Sequence, residues 1–288
     1  MLKKRFRFGE FSLELLAVVI FLAFFFPLFL VFINAAKENS FLVTSDPLGF
    51  TGTIEYLIIN LTEVWTSDNT RYQESFVHSV IITFFSLLLI VLTSSMAAWV
   101  LVRTKTKLST VIFLMFVVAM IIPFQVVMLP LVSWFRTIRE VTGIPLLRTH
   151  IGLIFAYIAF GSPFTIFLMH GFIKGIPYEL EEAAAIDGCT RPQVFFMIIF
   201  PILKPIIVTA LILNGIWIWN DFLLPLLLLG VGQDIQTIPL AIARYAGAFV
   251  TEYQFLLAAV ILAIIPVVIV FLFAQRYIIK GMVAGSIK

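Results

Sequence analysis

Six long runs of apolar residues constrain this chain more than any other feature of its sequence. A helix that crosses about 30 Å of hydrocarbon needs about 20 mainly apolar residues. Six stretches reach that length, at 13–34, 76–102, 108–134, 151–173, 206–231 and 255–279. Isolated strands are excluded, because lipid offers no partner for their N–H and C=O groups. The sequence therefore predicts an all-α integral membrane protein with six transmembrane helices.

The composition of the chain excludes other classes of protein. Of its 288 residues, 61% are hydrophobic and 12% are charged, whereas a soluble domain is about 45–50% apolar and about 25% charged. The same values exclude a disordered chain. The single cysteine, Cys189, excludes an internal disulfide. The aromatic residues lie within the apolar runs, so no aromatic and basic surface for nucleic acid is expected.

The distribution of positive charge predicts the orientation. With six spans, both termini lie on one side, and most lysine and arginine residues fall on that side. The positive-inside rule therefore predicts that both termini are cytoplasmic. Segment 1–12 is then a cytoplasmic N-terminus, 13–288 a single transmembrane domain, and 174–205 a cytoplasmic loop. The first span is too long for the apolar part of a signal peptide and is interpreted as retained.

The cytoplasmic loop 174–205 predicts a short helix on the membrane surface. Pro177 can begin a helix, because its missing N–H is harmless there. Three glutamates follow in the first turn, where the helix dipole favours negative charge. The alanines 183–185 leave little bulk, and Gly188 can end the helix in the left-handed conformation. A short helix with so little apolar surface is only marginally stable unless another element packs against it. We interpret that element as a cytoplasmic partner protein.

The residues of this loop carry a resemblance to a known family. The spacing resembles the EAA signature of permease subunits in binding-protein-dependent ABC importers, through Glu182, Ala183, Ala184, Gly188, Ile198 and Pro201. Phe200 stands where leucine is usual and keeps an apolar side chain. Segment 219–223 and the tail from Gln275 look like the sugar-importer branch. Over nearly its whole length the chain is similar to the second, six-span permease of maltose and oligosaccharide importers.

The resemblance implies a type I ABC importer permease in a prokaryotic cell membrane that takes up a carbohydrate. It implies a second homologous permease, two copies of a cytoplasmic ATPase, and a solute-binding protein outside the membrane. The surface helix would be the coupling helix that contacts the ATPase. Its coupling residues would be Glu181, Glu182, Ala183, Ala184, Asp187, Gly188 and Pro201. ATP and magnesium would be bound by the partner ATPase, because this chain lacks a phosphate-binding G-x-x-x-x-G-K-[ST] loop.

Polar residues within the predicted spans are candidates for a substrate pathway. Asp221 is an acidic residue within the fifth predicted span, and Asn214, Trp217 and Asn220 lie near it. Sugars are bound by amide and carboxylate hydrogen bonds together with aromatic faces. Asn214, Trp217 and Asp221 share a face by helical spacing. A polar cluster that holds helices together, or an aromatic belt, is the alternative interpretation. Gln125, between two prolines, is a further pathway candidate, with simple support of a kink as its alternative.

The external loop 233–254 is the candidate contact with the solute-binding protein, through Gln236, Arg244 and Tyr245. This expectation rests on the resemblance and the predicted orientation. No spacing of metal ligands is present in the sequence. A non-sugar solute, such as a glycerol phosphodiester, a peptide or an amino acid, remains an alternative substrate. An ion-coupled carrier acting alone is a second alternative, but it would need charge pairs within the spans and often a repeated half.

Overall fold

The computed structural model describes residues 8–246 and 252–286. Part of the predicted N-terminal segment 1–12 and part of the predicted external loop 233–254 therefore lie outside the described residues. The described chain is helical, and its helices are joined by short loops. These helices are α1 (Phe8–Ala35), α2 (Ser40–Ser45), α3 (Ile54–Thr66), α4 (Tyr72–Arg103), α5 (Lys107–Ala119), α6 (Phe124–Thr142), α7 (His150–Ile173), α8 (Glu179–Ile186), α9 (Arg191–Gln193), a π-helix (Val194–Ile199), α10 (Phe200–Ile202), α11 (Lys204–Asn220), α12 (Leu223–Leu228), α13 (Ile238–Arg244) and α14 (Tyr253–Ser286).

Four helices are long and apolar enough to cross a membrane by themselves, namely α1, α4, α7 and the first part of α14. Two further spans are present if each of two bent helix pairs is counted as one span. The described residues therefore contain four to six candidate spans by length and composition. This result agrees with an all-helical membrane fold.

The third predicted span, 108–134, is not one straight helix. It consists of α5 and α6, whose axes differ by 104°. Pro123 precedes α6 with φ −62° and ψ 135°, outside the helical region. Proline has no N–H to continue the hydrogen-bond ladder of α5, and it disfavours a helical conformation at the residue before it. The break therefore follows from Pro123, and Gln125 lies in the first turn after it.

The fifth predicted span, 206–231, also differs from the observed helix. Helix α11 ends at Asn220, and Asp221 is extended, with ψ 125°. The N–H of Leu223 donates a hydrogen bond of 3.1 Å to Asp221 Oδ1, which caps the following short helix α12. An acidic side chain that accepts from a backbone N–H two residues later competes with helix formation. Asp221 therefore lies at a helix break and not in the middle of a continuous span.

The chain divides into two compact units. One unit comprises Gln73–Leu240 with Val267–Lys288, and it contains both apolar clusters of the described core. The cluster near the ends of α4 and α7 includes Ala98, Met169 and Ile173, all 0% exposed. The cluster at the opposite ends includes Phe135 and Leu153. Helices α4 and α7 run in the same direction, because His78 and His150 lie 2.8 Å apart near their starts and the first cluster joins their ends.

The other unit comprises Met1–Tyr72 with Ala241–Pro266. Buried side chains hold its segments together through backbone oxygens. Asn60 donates 2.8 Å hydrogen bonds to the carbonyls of Ala35 and Lys37, so it ties α3 to the end of α1. The hydroxyl of Tyr72 donates to the carbonyl of Ala259 at 3.0 Å. These buried polar side chains therefore have hydrogen-bond partners, as buried polar groups in native structures do.

Gly152, in the first turn of α7, is required by close packing. A Cβ atom at this position would lie 1.8 Å from the carbonyl oxygen of Leu146, which is a backbone atom and cannot rotate away. We expect Gly152→Ala to lower the free energy of unfolding by about 1–3 kcal/mol, the usual effect of overpacking. Gly171→Ala on the same helix is the matched control, because a Cβ there meets nothing within 4 Å. Fluorescence-detected thermal denaturation in detergent checks the pair, and equal melting temperatures would contradict the packing described.

Candidate functional site

Helix α8 forms where the sequence places its signals. It begins after Pro177 and carries Glu179, Glu181 and Glu182 in its first turn, where the positive end of the helix dipole stabilises carboxylates. It stops before Gly188, which has a left-handed φ of 85°. Other residues are strained in that conformation by about 1–2 kcal/mol. The prediction of a short helix ended by Gly188 therefore agrees with the structure.

The inner face of α8 is fastened to the end of α4 by Glu181. This carboxylate is 7% exposed. It accepts a hydrogen bond of 2.6 Å from Arg103 Nε and one of 3.0 Å from Trp99 Nε1. Arg103 also donates to the carbonyl of Ile176 at 3.1 Å, just before α8. One guanidinium thus holds both the helix and the chain that leads into it.

The sequence predicts that α8 depends on a partner protein for its stability, but the structure shows that the helix packs on its own chain. Glu181 and Ala184 are buried in the chain's own interior, and Trp99 packs on Phe195 of the following π-helix with ring centroids 5.4 Å apart. A large part of the support for α8 therefore comes from its own chain. Glu181, one of the predicted coupling residues, points inward and positions the helix.

The outer face of α8 is free within the described residues. Glu182, Ala183, Asp187 and Gly188 are all exposed. Ile186 is 86% exposed, the largest exposed fraction among the large apolar residues described. An isolated exposed isoleucine is ordinary, but here it lies beside small and acidic residues on a braced helix. The outer face, defined here as residues 182, 183, 186, 187 and 188, is the candidate coupling surface.

The chain returns from α8 to the membrane through an irregular helix. Gln193 Oε1 accepts from the N–H of Thr190 at 2.8 Å, which caps the short helix α9. A π-helix, Val194–Ile199, follows. Pro201, one of the predicted coupling residues, is exposed just beyond it and supplies no N–H to the ladder. Such π-turns are rare and frequently occur at functional sites.

A second group of candidate functional side chains lies at the end of α11. The hydroxyl of Tyr157, on α7, donates to Asp221 Oδ2 at 3.0 Å. The ring of Trp217 meets Tyr157 edge to face, with centroids 5.5 Å apart. Trp217 is 39% exposed. This polar cluster of Tyr157, Trp217 and Asp221 combines a carboxylate, a phenol and a partly exposed indole.

The other predicted pathway residues are not part of the polar cluster. Asn214 is 4% exposed and donates to Thr165 Oγ1 on α7 at 3.0 Å. It therefore holds two helices together, and it does not share a face with Asp221, because α11 ends between them. Asn220 is exposed, and among the described residues its side chain bonds only its own helix, through the carbonyl of Ile216. Gln125 is exposed near the break at Pro123 and makes no hydrogen bond within the described ranges.

Two of the three residues predicted to meet the solute-binding protein are buried. Gln236 is 2% exposed and donates to the carbonyl of Gln233 at 2.9 Å. Tyr245 is 5% exposed, and its hydroxyl lies 2.9 Å from that of Thr70. Burial raises the pKa of the Tyr245 phenol, so it stays protonated. Arg244 donates to Asn69 Oδ1 at 3.3 Å on a more exposed surface and is the best placed of the three.

The structure also identifies residues that sequence reasoning missed. Arg103 and Trp99 brace the surface helix, Ile186 dominates its outer face, and Tyr157 completes the polar cluster. In the sequence, Arg103 contributes to the predicted orientation as one of several positive charges on the cytoplasmic side, and nothing there indicates its contact with Glu181. Ile186 had a signal in the sequence, because it is the large apolar residue that follows three alanines. Tyr157 lay in an apolar run without a local signal.

Comparison with known proteins gives a consistent picture. Residues 90–284 match the family model for the inner membrane component of binding-protein-dependent transport systems. The chain is 37% identical over 280 residues to the probable starch degradation products transport system permease protein AmyC of Thermoanaerobacterium thermosulfurigenes, covering 97% of each chain. It is 35% identical to the melibiose/raffinose/stachyose import permease protein MelC of Bacillus subtilis, covering 96% of each.

A solved structure supports the fold. The chain superimposes on a chain of a bacterial ABC transporter involved in the import of the acidic polysaccharide alginate, with a TM-score of 0.75. The match covers 96% of this chain and 99% of that chain, at 20% sequence identity. This likeness concerns the fold, and the family model and the relatives above show the family. The chain belongs to the inner membrane components of binding-protein-dependent transport systems.

Proposed function

We propose that this chain is one permease subunit of an ABC importer that takes up a carbohydrate, an oligosaccharide in particular. The observation that carries the substrate class is the similarity, over 97% and 96% of the chain, to permeases named for starch degradation products and for melibiose, raffinose and stachyose. Trp217, with a partly exposed indole, and the Asp221 carboxylate both contact Tyr157, and such a combination is suited to a sugar.

In this proposal the outer face of α8 is the contact with a cytoplasmic ATPase. Because Arg103 and Trp99 of α4 hydrogen-bond to Glu181 of α8, a displacement of α8 is transmitted to α4 through direct contacts. Two ATPase subunits bind ATP together with magnesium and hydrolyse the ATP, and a second permease completes the pathway. Rigid-body rocking of packed helices between two states then opens the pathway to either side. Both termini and α8 lie on the cytoplasmic side.

The polar cluster is proposed to contact the sugar during passage. Tyr157→Phe removes the hydrogen bond to Asp221 and leaves the ring in place. Without this donor the Asp221 carboxylate is no longer held in one orientation beside Trp217, so we expect the sugar concentration at half-maximal uptake to rise about tenfold, which corresponds to about 1.4 kcal/mol. Thr137→Ala is the control, because this exposed hydroxyl bonds only the carbonyl of Ser133 on its own helix. An unchanged half-maximal concentration would remove the cluster from the pathway.

The proposed function is tested by uptake into proteoliposomes. The chain is purified from its host with the proteins that accompany it, reconstituted, and supplied with ATP inside and the genetically linked solute-binding protein outside. We expect ATP-dependent uptake of a labelled oligosaccharide such as raffinose or a maltodextrin, and no uptake of a peptide or a glycerol phosphodiester. Uptake by this chain alone, driven by an ion gradient, would contradict the proposal.

A further inference from the structure

A cavity of about 410 Å³ lies between the ends of α4, α5 and α7, apart from both the coupling surface and the polar cluster. Its walls come from the α4–α5 loop, the first turns of α5 and the last turn of α7. Arg103, at the end of α4, contacts the chain that leads into α8. The cavity therefore opens at the same end of the helices as the coupling surface.

The charged groups that line this cavity are basic. Lys105 and Lys107 come from the loop and the start of α5, and Lys174 comes from the end of α7. No carboxylate lines the cavity, and none of the three ammonium groups has an ion-pair partner among residues 8–246 and 252–286. Like charges around one cavity repel each other, so a bound anion would stabilise this arrangement.

The polar groups around the lysines are suited to a phosphate. His170 lines the cavity and is 7% exposed. Its ring stacks on Phe113 with centroids 3.7 Å apart, and it makes no side-chain hydrogen bond within the described part of the chain. Thr104 also lines the cavity. Ammonium, imidazole and hydroxyl groups are donors suited to phosphate oxygens, and here they line one cavity without an acidic neighbour among its lining residues.

The surface next to the cavity indicates that the phosphate belongs to a lipid. Leu108, Val111 and Met115 of α5 are 68%, 52% and 66% exposed. Their spacing places them on one face of that helix, and this apolar face starts at the lysine-lined cavity. Acyl chains can lie along such a face while the headgroup occupies the basic cavity. Basic pockets between transmembrane helices on the cytoplasmic side bind anionic headgroups in this way.

We propose that the cavity lined by Lys105, Lys107, Lys174 and His170 binds the phosphate of an anionic phospholipid from the cytoplasmic leaflet. The choice of leaflet rests on the orientation given under the proposed function. The binding itself does not depend on the transported substrate. A lipid in this position would touch α4, α5 and α7 beside the coupling surface, and it would therefore stabilise the unit that carries α8.

Native mass spectrometry of the intact complex tests this site with phosphatidylglycerol as the probe. We expect Lys105→Gln/Lys107→Gln to lower phosphatidylglycerol retention about tenfold, since each basic residue near a headgroup contributes to anionic lipid binding. The control Arg191→Gln/Lys204→Gln removes two exposed positive charges from the same predicted side, outside the cavity. We expect this control to retain the lipid. Unchanged retention in the cavity variant, or an equal loss in the control, would overturn the proposal.

Two further arms identify the source of the phosphate. We expect phosphatidylcholine to be retained much less than phosphatidylglycerol, because its ammonium group neutralises the phosphate. We also expect inorganic phosphate at millimolar concentration to leave phosphatidylglycerol bound and the melting temperature unchanged. Displacement of the lipid by inorganic phosphate would assign the cavity to a free anion and overturn the lipid proposal. Because these readouts require no uptake, a failed transport assay and a failed lipid assay remain distinguishable.

Discussion

Substitution of Ile186 by aspartate is expected to lower sugar-stimulated ATP hydrolysis and uptake at least tenfold, while the chain still folds and enters the membrane. Ile186 is 86% exposed on the outer face of α8, so an aspartate meets only water in the isolated chain. In an interface with the ATPase, the substitution removes an apolar contact worth about 1.5–3 kcal/mol and introduces a charge that must be desolvated. Reconstituted ATPase and uptake assays on the same preparation measure the effect.

A matched variant separates a lost interface from a general effect of charge. Val141, near the end of α6, is 78% exposed, so Val141→Asp makes the same kind of change far along the sequence from α8. We expect its uptake to stay within twofold of the unsubstituted chain. Full activity of Ile186→Asp, with the complex intact, would show that the outer face of α8 does not carry the coupling.

Loss of the Arg103 side chain is expected to damage both stability and coupling. In Arg103→Ala the Glu181 carboxylate, whose side chain is 8% exposed, remains buried without its ion-pair partner. Breaking a buried pair in this way costs about 3–5 kcal/mol. We expect α8 to separate from α4, so that thermal stability in detergent decreases and ATP-driven uptake falls more than tenfold. A melting temperature like that of the unsubstituted chain would contradict this expectation.

A double variant distinguishes bracing from a direct role of the charges. Replacing both partners of a buried pair by apolar residues is often neutral for stability. Arg103→Leu/Glu181→Leu removes the unpaired charge but leaves Trp99 Nε1 and the Ile176 carbonyl without their partners, so it is expected to recover only part of the melting temperature lost in Arg103→Ala. If Glu181 only positions the helix, as its inward orientation indicates, uptake should recover together with stability. Recovery of stability without any recovery of uptake would show that the charges of Arg103 and Glu181 are themselves needed for coupling.

The local features of loop 174–205 could be predicted from the sequence. Pro177, the acidic first turn and Gly188 determine where α8 begins and ends, because these signals act within one or two helical turns. The orientation of α8 could not be predicted. It depends on Arg103, which is 78 positions from Glu181 in sequence, and no periodicity of an eight-residue helix identifies a partner that distant.

The two corrected spans have a common physical cause. The mean hydropathy of a window of about 20 residues reports apolar content. It does not detect a single residue that interrupts the backbone hydrogen bonds of a helix. Pro123 produces a 104° bend within the third apolar run, and Asp221 ends α11 inside the fifth. The end of α11 before Asp221 also explains which residues form the polar cluster. Tyr157 reaches Asp221 at the end of α11, whereas Asn214 remains within the helix and bonds Thr165.

The central claim, that the outer face of α8 contacts a cytoplasmic ATPase, is tested most directly by photo-cross-linking in cells. A benzophenone amino acid replaces Ile186 on the outer face of α8, or Val111 on the exposed face of α5 as the control. We predict an ultraviolet-dependent adduct at position 186 that mass spectrometry identifies as an ABC ATPase, and no such adduct at position 111. The absence of an ATPase adduct at position 186 in an intact complex, or an equal yield at both positions, would contradict it.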